Sequence, residues 1–149
     1  MKGRISLTAL SLGVLAAACV TPVGGTSTPS GAATIPSAPL NLGDWRRANV
    51  NTVVQNFERE VSSRYGLGLA LSAVSADLRR NEFTCAANTQ TNERGDPADQ
   101  VCRKTVSAEN CTHTWQVHLF DENGNAALTR ARALYDRRCG GDGLLGGPG

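Results

Sequence analysis

Cysteine is the residue type with the clearest potential for chemistry in this chain. Thiols can form disulfides, ligate metals or be acylated, and the chain has five, at positions 19, 85, 102, 111 and 139. An odd number in an exported protein leaves one thiol that needs a role outside disulfide pairing. We therefore predict two disulfides among the last four cysteines and a separate role for Cys19.

The histidines and cysteines do not form a metal-binding pattern. Cys111-x-His113 lacks the paired Cys-x-x-Cys of a zinc site, and metal thiolates belong to reducing compartments. His113 and His118 are five residues apart, so on a strand their side chains point to opposite faces. We expect no shared metal, and each histidine is predicted at the surface or at a pocket rim.

Residues 121–132 begin like a calcium-binding loop, with side-chain oxygens at alternate positions. Ala126 and Arg132 stand where such a loop needs glycine and a bidentate glutamate, so a hairpin turn explains the segment better. The chain also lacks Gly-x-Ser-x-Gly, Ser-x-x-Lys and a glycine-rich phosphate loop. We predict no catalytic residues, no metal and no cofactor.

The first 18 residues have the features of an export signal. Lys2 and Arg4 give a positive start, and residues 5–15 form an apolar run that is shorter than the roughly 20 residues of a membrane-spanning helix. Residues 15–19 (Leu-Ala-Ala-Ala-Cys) resemble a bacterial lipoprotein signal. The resemblance implies that Cys19 is diacylated on its sulfur and becomes the new N-terminus. Cleavage without lipidation is the alternative, because Ala16-x-Ala18 also suits a general signal peptidase.

The net charge argues against a nucleic-acid partner. Lys2 and Arg4 leave with the signal, so the 15 basic residues of the chain become 13 and equal its 13 acidic residues. Nucleic-acid binding needs a concentrated basic surface that displaces counterions. The Arg-Arg and Arg-Lys pairs are spread among acidic residues and are typical of solvated faces.

Composition divides the rest of the chain into three parts. Residues 19–39 contain the lipidated cysteine and a small, uncharged, proline-broken segment that is predicted to be a disordered tether. Residues 40–139 are long enough for one α+β domain with a modest core. Residues 140–149 are rich in glycine and are predicted to be a flexible tail.

Apolar periodicity predicts two helices at the start of this domain. The first is expected over residues 45–65, with Asp44 as its cap and Gly66 as a left-handed stop. Its apolar stripe recurs at steps of three and four residues and consists of Trp45, Val50, Val53, Val54, Phe57, Val61 and Tyr65. A shorter helix is expected to be capped by Ser72 and to stop near Asn81.

Four strands are predicted to follow, over residues 83–85, 101–106, 112–120 and 126–139. The polar stretch 86–100 is expected to be a long exposed loop. Asn123-Gly124 predicts a two-residue hairpin turn between the last two strands. The last segment has helix-favouring composition, and we assign it to a strand because pairing across a hairpin can override propensity.

The predicted fold is therefore α+β, with two N-terminal helices followed by an antiparallel meander of about four strands, stapled by disulfides. Sequential pairing is favoured among three possible connectivities, with Cys85 joined to Cys102 and Cys111 joined to Cys139. Cys85 and Cys102 sit where neighbouring strands leave and re-enter the loop, and the other two flank the open end of the hairpin. In its element order alone, this layout resembles the small lipoproteins that assist outer-membrane β-barrel assembly.

These features predict a non-enzymatic accessory lipoprotein of the bacterial envelope, most simply one on the periplasmic side of the outer membrane. Its predicted partners are the membrane, through its lipid anchor, and an envelope protein. The alternative is a small-ligand or cell-wall-binding module that uses Trp45, Trp115 or the loop 86–100 as its platform. A secreted enzyme or inhibitor is a third hypothesis, disfavoured by the lack of catalytic motifs.

Substitution of Cys19 tests the anchor. Cys19→Ser is expected to move the protein from the membrane fraction to the soluble periplasm, because stable anchoring takes more than one acyl chain and only the processed cysteine supplies them. Fractionation and intact mass of the membrane-extracted protein measure this. A mature chain that begins at Cys19 and carries no added lipid mass would rule out lipidation.

Overall fold

A computed structural model describes residues 34–89 and 97–140, and it contains two helices followed by four strands. The predicted signal, Cys19, most of the tether, the middle of the polar loop and the tail beyond residue 140 lie outside these residues. The elements are α1 (Val50–Arg64), α2 (Leu71–Arg80), β1 (Thr84–Ala87), β2 (Gln100–Ala108), β3 (Cys111–Phe120) and β4 (Arg130–Cys139).

Helix α1 has the predicted apolar stripe and ends within one residue of the predicted end, but its predicted start and its predicted glycine stop are wrong. It begins at Val50, where the Asn49 side chain accepts a hydrogen bond from the Thr52 amide at 2.9 Å. Asp44 does not cap α1. Its backbone carbonyl accepts hydrogen bonds from the amides of residues 47 and 48 and so closes a separate turn before the helix. At the other end Gly66 has no positive φ, and the left-handed glycine is Gly68 (φ 85°).

Helix α2 begins at Leu71, and its predicted cap at Ser72 is wrong. Ala70 occupies the cap position and makes no side-chain bond to the helix. The Leu71 amide, which has no partner within the helix, donates to the carbonyl of Ala126 at 2.9 Å. A backbone carbonyl from the segment between β3 and β4 therefore satisfies an amide at the start of α2, in place of a capping side chain.

The strands form one antiparallel sheet in the order β1-β2-β3-β4, which confirms a four-stranded meander. The last segment is a strand, as predicted, but it begins at Arg130 and not at residue 126. The predicted loop is shorter than expected, because residues 86, 87 and 100 belong to β1 and β2.

The tight turn lies at a different place from the one predicted. Glu109 and Asn110 join β2 to β3 with φ angles of 52° and 63°, the double left-handed geometry of a two-residue hairpin. The Asn123-Gly124 prediction is wrong, because β3 and β4 are joined by the longer segment 121–129 and only Gly124 of that pair has a positive φ. The Asp121 carboxylate organises this segment by accepting the backbone amides of residues 125 and 126.

The core lies between the helices and one face of the sheet. Strand β3 alternates strictly, and its buried side chains include Trp115, Val117 and Leu119. The α1 stripe and the apolar side of α2 pack against this face through Phe57, Val61, Leu71, Val74 and Leu78.

Both disulfides join direct cross-strand neighbours, and the predicted sequential pairing is confirmed. Cys85 is bonded to Cys102 and so fastens the four-residue β1 to β2. Cys111 is bonded to Cys139 at the end of the ladder between β3 and β4. In the loop-entropy model each bridge stabilises the fold by roughly 3 kcal/mol.

A buried ion pair connects the two helices to the start of the described chain. Asp77 on α2 accepts bonds from Arg64 at 2.7 and 3.1 Å, from the Tyr65 hydroxyl at 2.8 Å and from Arg80 at 2.6 Å. Arg64 also donates to the carbonyls of Pro36 and Ala38, at 3.0 and 2.7 Å. The side chains of Arg64 and Asp77 are 4% and 1% exposed, so this pair is shielded from water.

The ionisation of this network follows from its bonds. Burial by itself raises the pKa of Asp77, but hydrogen bonds from Arg64, Arg80 and Tyr65 outweigh it and hold the pKa below its ordinary value of 3.8. Burial and the Asp77 carboxylate raise the pKa of Tyr65, so this residue stays a hydrogen-bond donor. At neutral pH the network is a charged pair with a neutral phenol attached.

Asp77→Asn is expected to lower the free energy of unfolding by about 3 kcal/mol, because it leaves Arg64 buried without its counter-charge. The wild-type contribution is complete above pH 3.8, the ordinary pKa, and is lost as pH falls through the lower folded pKa of Asp77. Urea unfolding between pH 2.5 and 7 measures both effects. Glu82→Gln, which removes an exposed carboxylate, is the control and should leave the neutral-pH midpoint in place. Equal midpoints for the two variants would contradict this role of Asp77.

The two bridges can be separated by double substitution. Cys85→Ala with Cys102→Ala is expected to cost about 3 kcal/mol and to expose the β1 amides, because four residues cannot hold their pairing without the bridge. Cys111→Ala with Cys139→Ala is the matched control, expected to loosen β4 and leave β1 protected. Urea unfolding and hydrogen exchange resolved by residue measure these outcomes. Persistent protection of β1 in the first variant would contradict the expectation.

Candidate functional site

The two faces of the sheet differ in what covers them. The helices pack on the face that carries Trp115, and no described helix covers the other. We call this other side the open face. Apart from the buried Phe120, its side chains are half-buried or exposed, and they come from all four strands: Thr84 and Ala86 on β1, Val101, Arg103, Thr105 and Ser107 on β2, Thr112, Thr114, Gln116, His118 and Phe120 on β3, and Arg130, Arg132, Leu134, Asp136 and Arg138 on β4.

Four polar side chains meet at the centre of the open face, and we call them the basic cluster: Arg103, Gln116, His118 and Arg132. The Gln116 side-chain oxygen lies 3.5 Å from an Arg103 nitrogen and 3.3 Å from Nε2 of His118. Arg132 lies directly opposite His118 in the register of β3 with β4. Neighbouring strands therefore bring two guanidinium groups to either side of one imidazole.

The charges of the basic cluster are not balanced by acids. Among residues 34–89 and 97–140, no carboxylate lies within 4.0 Å of the guanidinium of Arg103 or Arg132. Asp136 is the one acidic side chain on the open face, and it pairs with Arg138 at 2.9 Å. Arg130 pairs with Glu122 of the preceding connection at 3.1 Å. Arginines at the margin of the open face therefore have carboxylate partners, whereas Arg103 and Arg132 at its centre have none among the described residues.

The electrostatics of His118 agree with this arrangement. Burial lowers its pKa, and Arg132 and Arg103 lower it further. An imidazole held neutral between two cations gains a proton more easily when an anion arrives. Guanidinium groups offer planar, paired donors that match a carboxylate or a phosphate. The basic cluster can therefore bind an anionic group.

Of the two tryptophans named as a possible binding platform, Trp115 is inaccessible. Trp115 is fully buried, and its Nε1 has no hydrogen-bond partner in the described part of the chain. Trp45 is half-buried, with its ring centroid 4.6 Å from that of His113 and 5.2 Å from that of Trp115. Trp45 thus covers the end of the core with the turn that precedes α1.

His113 is buried, so its predicted position at the surface or a pocket rim is wrong. Its Nδ1 lies 2.7 Å from the Tyr135 hydroxyl. Burial, followed by the charge of Arg137, lowers its pKa, and Glu109 opposes them. His118 lies on the opposite face of β3, as the five-residue spacing predicted. Because successive side chains of β3 point to opposite faces of the sheet, His113 lies in the core and His118 lies on the open face.

The calcium-like segment 121–132 does not assemble a metal site in the described residues. The oxygens of Asp121 accept the amides of residues 125 and 126, at 3.2 and 2.6 Å, and Arg132 lies on the open face. Residues 34–89 and 97–140 contain no group of three or more His, Cys, Asp or Glu arranged to hold a metal ion. Within the same residues, no helix is both long and apolar enough to cross a bilayer.

Sequence reasoning located some of these residues and missed others. The four disulfide cysteines are in their predicted pairs, whereas Cys19 lies outside the described residues. The basic cluster was not predicted, because its members come from three strands and meet only through the register. A detectable signal was the polar half of the β3 alternation, which places Gln116 and His118 on one face. In comparisons with known proteins, the chain matches no family model, no curated protein and no solved structure.

Proposed function

We propose that this protein is a non-enzymatic, lipid-anchored interaction module of the bacterial cell envelope. In this proposal its open face binds an acidic surface on an envelope protein. The observation that carries the proposal is the uncovered basic cluster, where Arg103 and Arg132 have no carboxylate partner among the described residues. Cations grouped on one face without counter-charges are suited to a partner of opposite charge.

The side-chain composition of this surface favours a protein partner over a small ligand. Small-molecule sites are concave and mostly apolar, with a few converging polar groups. The open face has polar side chains on all four strands, one exposed large hydrophobic side chain, Leu134, and a depression of about 580 Å³ beside Arg103 that includes few apolar groups, Ala86 and Val101. Such a mixture is typical of protein interfaces. The burial of Trp115 also removes one of the two aromatic side chains that the ligand-binding alternative required.

The buried titratable groups support a structural assignment instead of a catalytic one. Asp77 is bonded to Arg64, Tyr65 and Arg80, so its oxygens are engaged within the fold. His113 is bonded to Tyr135 and lies against Trp45. A general base must reach the proton that it abstracts from a substrate. Asp77 and His113 are each bonded to neighbouring side chains in the interior instead.

The anchor and tether supply the envelope location in this proposal. Lipidated Cys19 would hold the chain at a membrane, and a flexible tether over residues 20–33 would have a typical end-to-end distance of roughly 20 Å. The tether was predicted to extend to residue 39, but Ile35 packs against the core. Arg64 binds the carbonyls of Pro36 and Ala38, so the ordered part begins immediately after such a tether. The open face would then be presented to envelope proteins within a few nanometres of the membrane.

Site-specific photocrosslinking in cells tests the proposed surface. A photoreactive residue at Thr105, on the open face, is expected to give a discrete crosslinked band with another protein. The same residue at Ala76, exposed on α2, should not. Arg103→Glu is expected to weaken the Thr105 crosslink about tenfold, because it replaces a charge-assisted contact with repulsion. Arg79→Glu, an equal charge change on α2, is the control.

Two outcomes would contradict the proposal. One is a crosslink from Ala76 without one from Thr105, which would place the partner on the helical side. The other is an equal response to Arg103→Glu and Arg79→Glu, which would show that the total charge of the protein matters and the basic cluster does not.

A further inference from the structure

The outer edge of β2 is covered along only part of its length. β1 pairs with residues 100–103 of β2, whereas β2 continues to Ala108. Among the described residues, no strand or isolated bridge pairs with the outer side of residues 104–108. We call this uncovered part of the β2 edge the edge slot. An unpaired stretch of strand edge is a template for another strand.

The chain before β1 turns away from the edge slot instead of filling it. The register of β1 with β2 would place Glu82 opposite Thr105, but Glu82 has a φ of 68°. The amides of Glu82 and Phe83 donate to carbonyls near the end of α2, each at 3.0 Å. Both amides are therefore turned toward the helix. The edge slot is closed at one end, where β1 begins at Thr84.

The register shows that the edge slot offers backbone hydrogen-bonding groups. Antiparallel ladders alternate between pairs that exchange backbone hydrogen bonds and pairs that do not. The Asn88 amide donates to the Asp99 carbonyl at 2.9 Å, one step beyond the last pair of β1 with β2, so odd-numbered β2 residues bond on the β1 side. The exposed Thr105 and Ser107 therefore direct their N–H and C=O groups into the slot. No backbone partner for these groups lies among the described residues.

Two concave regions meet at the closed end of the edge slot, one on each side of the sheet. The depression of about 580 Å³ on the open face is lined by Arg103 and Thr105, among others. A hollow of about 210 Å³ lies on the helical side, where Leu40 and Phe83 supply apolar walls. Lys104 lines both. The alternating side chains of an added strand would point into the depression and the hollow in turn.

Charge decides which end of an added strand fits the closed end of the slot. Arg103 has no carboxylate within 4.0 Å among the described residues. Lys104 binds Glu82 at 2.7 Å, but the Glu82 side chain is 81% exposed and can turn to water. A strand antiparallel to β2 would end there with its carboxylate beside both cations. A parallel strand would bring a positive amino terminus to the same cations, which is repulsive.

We propose that the edge slot binds the extended C-terminal segment of a partner protein, antiparallel to β2, with its terminal carboxylate beside Arg103 and Lys104. The last residue then lies opposite Lys104 and points to the helical side, where the hollow suits an apolar side chain. The residue before it exchanges backbone hydrogen bonds with Thr105, and the fourth from the end does so with Ser107. Strand addition of this kind gives affinity through the backbone and specificity through alternate side chains.

This inference deepens the proposed function and rests on it, because the bound segment would belong to the envelope protein that the open face contacts. Arg103 takes part in both surfaces, since it lines the depression and is a member of the basic cluster. Its contact with Gln116 is long, at 3.5 Å, so the guanidinium can exchange it for a stronger bond to a carboxylate. Arg132 and His118 remain for the acidic surface of the same partner.

Binding of a synthetic peptide tests the edge slot in the full-length protein, expressed with its own signal and purified in detergent. The probe ends in Thr-Val-Thr-Val with a free carboxylate, and fluorescence polarisation of an N-terminal fluorescein measures its affinity. The same peptide with a C-terminal amide is the matched control. It is expected to bind about tenfold more weakly, because it loses a charge-assisted contact. No binding of the acid peptide, or equal affinities of the two peptides, would overturn the proposal.

Hydrogen exchange resolved by residue locates the bound peptide. The acid peptide is expected to slow exchange of the Thr105 and Ser107 amides about tenfold, because both become hydrogen-bonded. The exposed Ala76 amide position on α2 is the control and should be unaffected. Binding without added protection at Thr105 and Ser107 would place the peptide elsewhere and overturn the proposal.

Proline in the edge slot tests the backbone pairing. Ser107→Pro removes the outward N–H, and an edge strand tolerates proline where that group has no ladder partner. The variant is expected to bind the acid peptide about tenfold more weakly, because one hydrogen bond is lost and the ring obstructs pairing. Ser107→Ala keeps the N–H and should bind as the wild type does. Wild-type affinity in Ser107→Pro would overturn the proposal, and if this variant fails to fold in urea-unfolding controls, the comparison of acid with amide peptide on the wild type decides.

The edge slot and the proposed function can fail separately. Loss of the Thr105 crosslink in cells, with selective binding of the acid peptide intact, would count against the proposed function alone. A Thr105 crosslink that persists while the acid peptide fails to bind would count against the edge slot alone.

Discussion

The buried pair of Arg64 and Asp77 is the interaction on which the rest of the structure depends. It holds α1 to α2, and through the carbonyls of Pro36 and Ala38 it fixes the path of the chain before the helices. A charged pair in the interior is stable only when its remaining hydrogen-bonding groups are satisfied. Here the Tyr65 hydroxyl and Arg80 complete the bonds to Asp77. The pair therefore ties α1, α2 and residues 36–38 to one another.

The sheet depends in turn on covalent closure. With three phenylalanines, two tyrosines and two tryptophans in the whole chain, the core has few large side chains, and the helices cover only one side of the strands. Each bridge joins residues that the ladder already places opposite each other, so it adds stability without changing the register. A small core and two covalent ties allow the other side of the sheet to remain polar. The open face is thus a consequence of how the fold is stabilised.

Patterns that depend on local periodicity were predictable from the sequence. The α1 stripe through Phe57 and the alternation of β3 around Trp115 follow directly from burial on one side of an element. Element ends were less predictable, because α2 begins at Leu71, before Ser72, and the first helical amide donates to the distant Ala126 carbonyl. The tight turn formed at Glu109-Asn110, although Asn123-Gly124 has the stronger local preference, because strand pairing decided where the chain reverses. The basic cluster required a register between three strands, which no local pattern contains.

The order of the strands has a consequence for how the bridges can form. Both bridges join cysteines that follow one another among the four in the folded part: Cys85 to Cys102, then Cys111 to Cys139. When such a chain enters an oxidising compartment with its N-terminus first, Cys102 is the first of the remaining three thiols to reach Cys85. Cys111 then waits for Cys139 alone. Each bridge closes a loop that contains neither cysteine of the other, so formation of one bridge does not require the other.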